Sequence, residues 1–284
     1  MQYLMNHEHH EVRMRFSTTA SFGIVFMMVG LSYGVVTSGS AQNSEAAVFH
    51  TSYALNWAGY TSYTSATNPQ PAITKVIGSW TQPSVKPSKT AMYSSFWVGI
   101  GGFFSGDNSL IQTGTDSDTS NNKVSYYAWY EMLPAASVTI TCLTIKPGDH
   151  ITAYVLNAGT NSWVIDIATD GAGGGSGTCT NTANPKEFQQ TFSYSSSMKS
   201  AEWVVERPSL CFVTCQITKL ANFGTVTFYD AAYVASGVTY TISGAGFGTY
   251  DVVLMVSKNS KILCDVQPRT NPGSTFNGIW KASS

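Results

Sequence analysis

The chain has 284 residues, of which 43% are hydrophobic, 13% aromatic and only 11% charged, whereas roughly a quarter are charged in an average soluble protein. Lys plus Arg (15) nearly balances Asp plus Glu (16), and no basic cluster is interleaved with aromatic residues, so the composition argues against a nucleic-acid partner. Gly, Ser, Thr, Tyr and Val are abundant, and helical apolar spacing is hard to find beyond the N-terminus, which favours an all-β protein.

The first forty residues differ in character from the rest. Arg13 and Arg15 precede the apolar run 22–36, which is followed by the small residues TSGSA (37–41), and this order is typical of a secretory signal. A membrane anchor is the alternative, but the run is interrupted by glycines and is shorter than the ~20 apolar residues of a span. We predict an N-terminal extension and signal peptide over 1–41, cleaved near Ala41, with Met14 as an alternative start. The product would be secreted or extracytoplasmic, with no stable membrane span after cleavage.

Short alternating runs follow from Tyr53 onward, separated by turn residues such as KPGD (146–149). Strands at this even spacing predict an antiparallel β-sandwich of two large sheets, jelly-roll-like. We expect one domain over 53–284, with 42–52 as a short propeptide or linker, and a monomer.

Cysteine and histidine usage limits the chemistry. Five cysteines in an exported chain are expected to pair for the most part, and neither their spacing nor the scarce histidines support a zinc site, so no metal or cofactor is expected. After the signal the histidines are His50 and His150. Ser–His and Cys–His nucleophiles need a base within hydrogen-bond reach, so hydrolysis would have to use carboxylates, amides or a metal.

The stretch AEWVVERP (201–208) places two acids on one face of a hydrophobic strand. Because strand side chains alternate between faces, Ala201, Trp203 and Val205 point one way. Glu202 and Glu206 point the other way.

Other runs also offer acids, amides or large aromatics on one side. Together these sides predict a groove suited to an extended polymer, lined by Trp57 or Trp97, Trp129, Gln112, Glu131, Glu202 and Glu206. Aromatic residues on strands are more often core than ligand contacts, and Asp116 and Asp118 are expected in a loop. The pattern alone predicts an extracellular β-sandwich with a groove.

Six short sequence blocks give the predicted groove a more specific interpretation. NWAGY, FWVGIGG, LIQTGTD, YAWYEMLP, AEWVVERP and FGTVTF occur in the same order as the characteristic blocks of the glutamic peptidases, or eqolisins. The chain resembles this family over most of residues 54–230. The resemblance implies a sandwich of two antiparallel sheets, acid endopeptidase activity and polypeptide substrates.

The resemblance also implies roles for individual residues. Gln112 and Glu206 match the catalytic pair, in which the Glu activates a water molecule and the Gln positions it and stabilises the oxyanion. Substrate-binding positions are Trp57, Trp97, Trp129 and Glu131, and Glu202 is given structural or subsite status. The family's short cystine loop implies a Cys211–Cys215 disulfide, and we expect Cys142 to pair with Cys179 and leave Cys264 unpaired.

Three positions depart from the family pattern. Gly101 and Tyr127 stand where the family has acids, and Arg207 stands where an acid commonly follows the catalytic Glu. Two other functions stay open: a jelly-roll glycoside hydrolase that uses Glu131 and Glu206, and a secreted carbohydrate-binding sandwich without catalysis. The glycosidase gives Gln112 no essential role.

Overall fold

The computed structural model describes residues 48–63, 72–170, 179, 186–211, 214–244 and 249–284. The predicted signal segment and residues 42–47 lie outside these ranges. No helix long and apolar enough to cross a membrane occurs within them.

The described chain consists of strands joined by turns and loops, in agreement with the all-β prediction. Alternating burial in several of them, such as Thr225–Ala235, reflects the period-2 alternation of strand side chains. The strands are β1 (Val48–Ala54), β2 (Trp57–Tyr63), β3 (Ile73–Thr81), β4 (Ser95–Ile100), β5 (Ile111–Ser120), β6 (Lys123–Met132), β7 (Val138–Ile140), β8 (His150–Gly159), β9 (Ser162–Thr169), β10 (Glu187–Ser193), β11 (Ser200–Glu206), β12 (Ser209–Cys211), β13 (Cys215–Ile217), β14 (Thr225–Ala235), β15 (Val238–Thr241), β16 (Thr249–Val256), β17 (Ile262–Gln267) and β18 (Phe276–Trp280).

The sandwich expected from the sequence is present, with a difference in how its two layers are joined. One continuous sheet runs in the order β10-β9-β8-β3-β14-β18-β17-β16-β2-β11-β4-β5-β6-β7, with β1 on β16 and β15 on β14, and β12 and β13 form a separate hairpin. The sheet folds over so that β11 packs on β3 and β14, β4 on β3 and β8, and β5 on β8 and β9. The two layers are thus halves of one sheet, linked through β17 and β18.

The main core lies between these halves. Trp80, Trp163 and Phe228 are fully buried there. From β11, Ala201, Trp203 and Val205 join this core, as the strand alternation predicts, and the Trp203 indole donates to the Ile77 carbonyl (2.7 Å). The opposite face of β11 carries Glu202 and Glu206, and belongs to the side of the sheet that holds the candidate site.

The strand β1 begins before the expected domain boundary. It pairs in parallel with β16, so residues 48–52 of the predicted propeptide or linker are part of the sheet. Ser52 donates to Asp251 of β16, as does Tyr63 of β2. Four of the five cysteines pair, as expected, Cys142 with Cys179 and Cys211 with Cys215, while Cys264 is reduced and buried.

Candidate active site

Three rows of side chains cross strands β11, β4, β5 and β6 on one face of the sheet. The first row holds Glu206, Ser95, Asp116 and Tyr127, and the second holds Val204, Trp97, Gly114 and Trp129. The third holds Glu202, Gly99, Gln112 and Glu131. Directly paired residues share a face, so the register brings all the sequence-predicted acids, amides and aromatics of these strands to one surface.

Glu206 ends β11 and is held from two sides. The Trp97 indole Nε1 donates to its Oε2 (2.9 Å), and the Asn56 side-chain amide donates to its Oε1 (3.2 Å). Asn56 lies just before β2, and its carbonyl accepts from the backbone N–H of Arg207 (3.0 Å), which fixes it beside the carboxylate. The two donors orient Glu206 while leaving it half-buried at the surface.

Arg207 points away from this carboxylate, as the alternation predicts. Its guanidinium donates to the backbone carbonyls of Leu55 (2.7 Å) and Thr218 (3.3 Å). The positive charge at the position next to Glu206 therefore supports the loops around the strand end.

Gln112 and Glu131 face each other across β5 and β6. The Gln112 amide donates to Glu131 Oε2 over 2.6 Å, and both side chains are buried. The other end of the amide, Oε1, is buried and accepts no hydrogen bond from the protein. Glu131 therefore sets the orientation of the amide by accepting from its nitrogen, and it does so from beside Gln112.

Trp97 lies between Glu206 and Gln112. Its indole nitrogen bonds Glu206, and its six-membered ring leans over Gly99, where an added Cβ would lie 3.1 Å from both Trp97 Cζ3 and Gln112 Cβ. A side chain at position 99 would therefore press on both neighbours, which would have to move by a few tenths of an ångström. Trp97 is fully buried, so its position suits holding the site together more than contacting a ligand.

Asp116 is fully buried behind the cleft. Its Oδ1 accepts from the Trp129 indole and from the Ser95 hydroxyl (both 2.6 Å), and its Oδ2 accepts from the Tyr127 hydroxyl (2.9 Å). The expected loop placement of Asp116 and Asp118 was wrong. Both lie in β5, because hydrogen bonds from neighbouring strands satisfy a run that looks too polar to be buried.

Glu202 does not reach the cleft surface. It is 0% exposed, and neither carboxyl oxygen accepts a hydrogen bond of normal geometry. Burial raises the pKa of this carboxyl well above its ordinary value; the nearby Ser200 hydroxyl lowers it in part, and the negative charge of Asp107 raises it further. A side chain without exposure cannot contact a substrate in this conformation, so its placement fits a structural role.

A cleft that is partly open to solvent lies over the rows. Gln112 and Glu206 both line it, and so do two of the predicted aromatics. Its lining residues are Asn56, Trp57, Ser95, Leu110, Gln112, Trp129, Glu131, Leu133, Glu206, Pro208, Ser209, Cys211 and Cys215. The cleft thus has polar groups at its centre, apolar side chains from Leu110 and Leu133, and a wall formed by the disulfide of the β12–β13 hairpin.

Sequence reasoning missed Asn56, Leu110 and Leu133. Asn56 stands in the NWAGY block, where its place beside Trp57 was a usable signal. The two leucines had no signal, because a leucine at a strand end looks the same whether it faces a core or a cleft. Within the described ranges no group of three or more His, Cys, Asp or Glu residues is arranged to hold a metal ion.

Comparisons with known proteins identify the family. The family model described as the Peptidase A4 family matches residues 55–276, while no curated protein matches the sequence. Among solved structures, scytalido-glutamic peptidase with a peptide-based transition state analogue is 21% identical, with a TM-score of 0.63 over 80% of this chain and 98% of that one.

Two further structures share the fold. SCP-B, a member of the eqolisin family solved with the tripeptide Ala-Ile-His, is 20% identical, with a TM-score of 0.59 over 80% of this chain and 98% of that one. Aspergilloglutamic peptidase from Aspergillus niger is 24% identical, with a TM-score of 0.52 over 67% of this chain and 99% of that one. The family match over most of the chain, together with this fold, shows that the chain belongs to the Peptidase A4 family of glutamic peptidases, the eqolisins.

Proposed function

We propose that this peptidase is a secreted endopeptidase that hydrolyses polypeptides at acidic pH with a water molecule activated by Glu206 and Gln112. The observation that carries the proposal is that these two side chains line one cleft and are each held by a neighbour, Glu206 by Trp97 and Gln112 by Glu131. The related structures solved with a peptide-based inhibitor and with a tripeptide support a peptide as the ligand of such a cleft.

Glu206 would act as the general base. Ionised, it takes a proton from the water molecule as the water oxygen attacks the carbonyl carbon of the peptide bond, and it later gives that proton to the leaving nitrogen as the C–N bond breaks. Its half-buried position at the cleft supports this role, because a base has to reach both water and substrate. Protonation of Glu206 stops the first step, so activity falls at the acid end of the range.

Gln112 would position the water and stabilise the oxyanion. An amide offers both an acceptor and two N–H donors. With one N–H given to Glu131, the second N–H would serve the developing negative charge. Oε1 has no protein partner and is buried, so the amide would have to turn toward the cleft to hold the water. Glu131 is therefore assigned to the orientation of Gln112, in addition to its place in the cleft lining.

The strand register favours this pair over the glycosidase pair. Gln112 is two strands across and four residues along from Glu206, about 16 Å between Cα atoms on a flat sheet, a span that two long side chains and a bridging water can cover. Glu131 is one strand further, about 20 Å away by the same count. Glu131 is therefore the more distant partner, and its Oε2 accepts a hydrogen bond from the Gln112 amide, for which the glycosidase pair gives no role.

Secretion and pepstatin resistance complete the proposal. Two disulfides are consistent with an oxidising compartment, and sequencing of the mature N-terminus would test cleavage near Ala41. Pepstatin would have no effect, since Asp116 and Asp118 are buried behind the cleft and bonded to Tyr127, so they offer an inhibitor no open pair of carboxyls.

Gln112→Ala tests the proposal directly. In digests of denatured protein at pH 3 to 5, with and without pepstatin, we expect the wild type to cleave and Gln112→Ala to lose on the order of 10² to 10³ in kcat, as for one oxyanion donor. Glu131→Gln should lose less, since an amide at 131 can still accept a hydrogen bond through its oxygen.

A fully active Gln112→Ala with an inactive Glu131→Gln would move the chemistry to the two glutamates and favour the glycosidase. A wild type that cleaves no peptide but binds oligosaccharides would favour the carbohydrate-binding sandwich. Each variant is first checked for wild-type secretion and melting temperature.

A further inference from the structure

Tyr127 joins two buried aspartates behind the cleft. Its hydroxyl lies 2.9 Å from Asp116 Oδ2 and 3.0 Å from Asp118 Oδ2. Asp116 is the cross-strand partner of Tyr127, and Asp118 lies two residues further along β5 on the same face. The tyrosine hydroxyl is therefore a hydrogen-bonding group shared by two carboxyls that are almost entirely out of water.

Asp116 connects Tyr127 to the cleft through hydrogen bonds. Its Oδ1 accepts from the Trp129 indole and from the Ser95 hydroxyl, and both of those residues line the cleft. Three donors thus converge on one carboxyl group. Because Oδ1 and Oδ2 belong to one rigid plane, fixing Oδ2 through Tyr127 also fixes the direction in which Oδ1 holds Trp129.

The catalytic groups are held by other contacts. Glu206 is oriented by Trp97 and Asn56, and Gln112 by Glu131. A change at Tyr127 should therefore alter the surface on which the substrate lies before it alters the groups that perform the reaction.

We propose, resting on the peptidase function above, that Tyr127 is a positioning residue for substrate binding: its hydroxyl fixes Asp116, and through Asp116 it holds the Trp129 indole in the orientation that contacts the peptide. Tyr127 stands where the family pattern has an acid, so this chain fixes Asp116 with a neutral hydroxyl from the neighbouring strand. The consequence is a cleft wall whose geometry depends on one phenolic oxygen.

Tyr127→Phe tests the proposal, because it removes only that oxygen. We expect KM for a peptide substrate to rise on the order of 10-fold, the usual effect of one lost hydrogen bond to a charged group, with kcat changed by less than about 3-fold since Glu206 and Gln112 keep their partners. The matched control is Tyr130→Phe on the same strand, whose ring stacks on Phe188 away from the cleft. It should leave KM unchanged.

A double-mutant cycle separates positioning from general support. In a Trp129→Phe background, Tyr127→Phe should add less than about 2-fold to KM, because the indole that it positions is gone. A full effect in that background overturns the proposal. So does Tyr127→Phe with a lowered melting temperature and an unchanged KM, which would make the residue purely structural.

A fluorescence measurement keeps the test independent of activity. In each background, the emission of Trp129 is the spectrum of the protein with Trp129 minus the spectrum of the same protein carrying Trp129→Phe. We expect the maximum of this difference spectrum to shift in Tyr127→Phe and to stay unchanged in Tyr130→Phe. An unshifted Trp129 contribution overturns the proposal. A wild type that cleaves no peptide would instead refute the proposed function and leave this measurement to decide the role of Tyr127.

Discussion

The two glutamates of β11 share one face of one strand and have opposite surroundings. Glu206 lies at the strand end, half-buried, with N–H donors from Trp97 and Asn56. Glu202 lies four residues earlier, fully buried, without a donor in normal geometry and with Asp107 of the loop after β4 close enough to raise its pKa. Strand periodicity assigns the face of a side chain, but the elements that cover that face decide whether an acid is available as a base or is kept neutral.

The largest expected effect is the loss of activity on substitution of Glu206, and its absence would contradict the contrast between Glu206 and Glu202. Glu206→Gln should reduce kcat on the order of 10⁴-fold, since an amide cannot take the proton of the water molecule. Glu202→Gln should keep activity at acid pH within about 3-fold, because the neutral acid and the amide are near-isosteric and neither contacts substrate. Peptide cleavage at pH 3 to 5 measures both.

Both variants need wild-type melting temperatures at the assay pH. An inactive, well-folded Glu202→Gln beside an active Glu206→Gln would reverse the roles of the two acids. In that case the buried carboxyl, not the one in the cleft, would carry the reaction.

Removing a hydrogen-bond donor of Glu206 should have a smaller effect than removing its carboxylate. Trp97→Phe keeps an aromatic ring over Gly99 but removes the N–H that bonds Glu206. We expect kcat to fall about 10- to 100-fold, as for the loss of one hydrogen bond to a charged group, with a smaller change in KM because Trp97 is buried below the cleft surface. Steady-state kinetics separate the two terms.

Trp57→Phe is the matched control, since Trp57 packs edge-on against Trp97 and lines the cleft. It should affect KM more than kcat. If the two variants behave alike, the indole nitrogen of Trp97 has no special role in orienting the carboxylate.

Much of this arrangement follows from the sequence. The alternation in β11 predicted that Glu202 and Glu206 face away from Trp203, and the ordered blocks predicted the family and most of the residues that line the cleft. These features depend on local period and on motif, which one chain carries by itself. Depth was not predictable: Trp97 was expected at the substrate surface, Glu202 was left between a structural and a subsite role, and both are fully buried.

The strand β5 shows why. Its sequence IQTGTDSDTS has few apolar residues, yet nine of its ten residues are buried, because their polar groups bond to partners distant in the chain. Thr115 donates to Gln82, Thr113 to the Trp129 carbonyl, and Gln82 to Ser117. Composition predicts a loop there, and only the tertiary hydrogen bonds make a buried strand possible.

The smallest expected effect is on the pH dependence of stability, which should distinguish Glu202 from Glu206. The folded state raises the pKa of Glu202 through burial, so the protein binds this proton more tightly than the unfolded chain does. The associated stability is fully present below the ordinary pKa of a glutamate and is lost as the pH rises toward the folded value. Asp166 has the same sign, with its pKa raised to about 7, chiefly by burial.

Glu202→Gln should therefore melt above the wild type at pH 7 and close to it at pH 3. The gain at pH 7 follows from the direction of the shift, because burial raises the pKa of Glu202 well above its ordinary value and the amide carries no charge to bury. Glu206→Gln is the control on the same strand face: its carboxylate has donors and partial exposure, and its replacement should bring no such gain at neutral pH. If Glu202→Gln instead lowers the melting temperature equally at both pH values, then Glu202 is not held neutral by the fold, and the contrast between the two acids of β11 reduces to a difference in exposure.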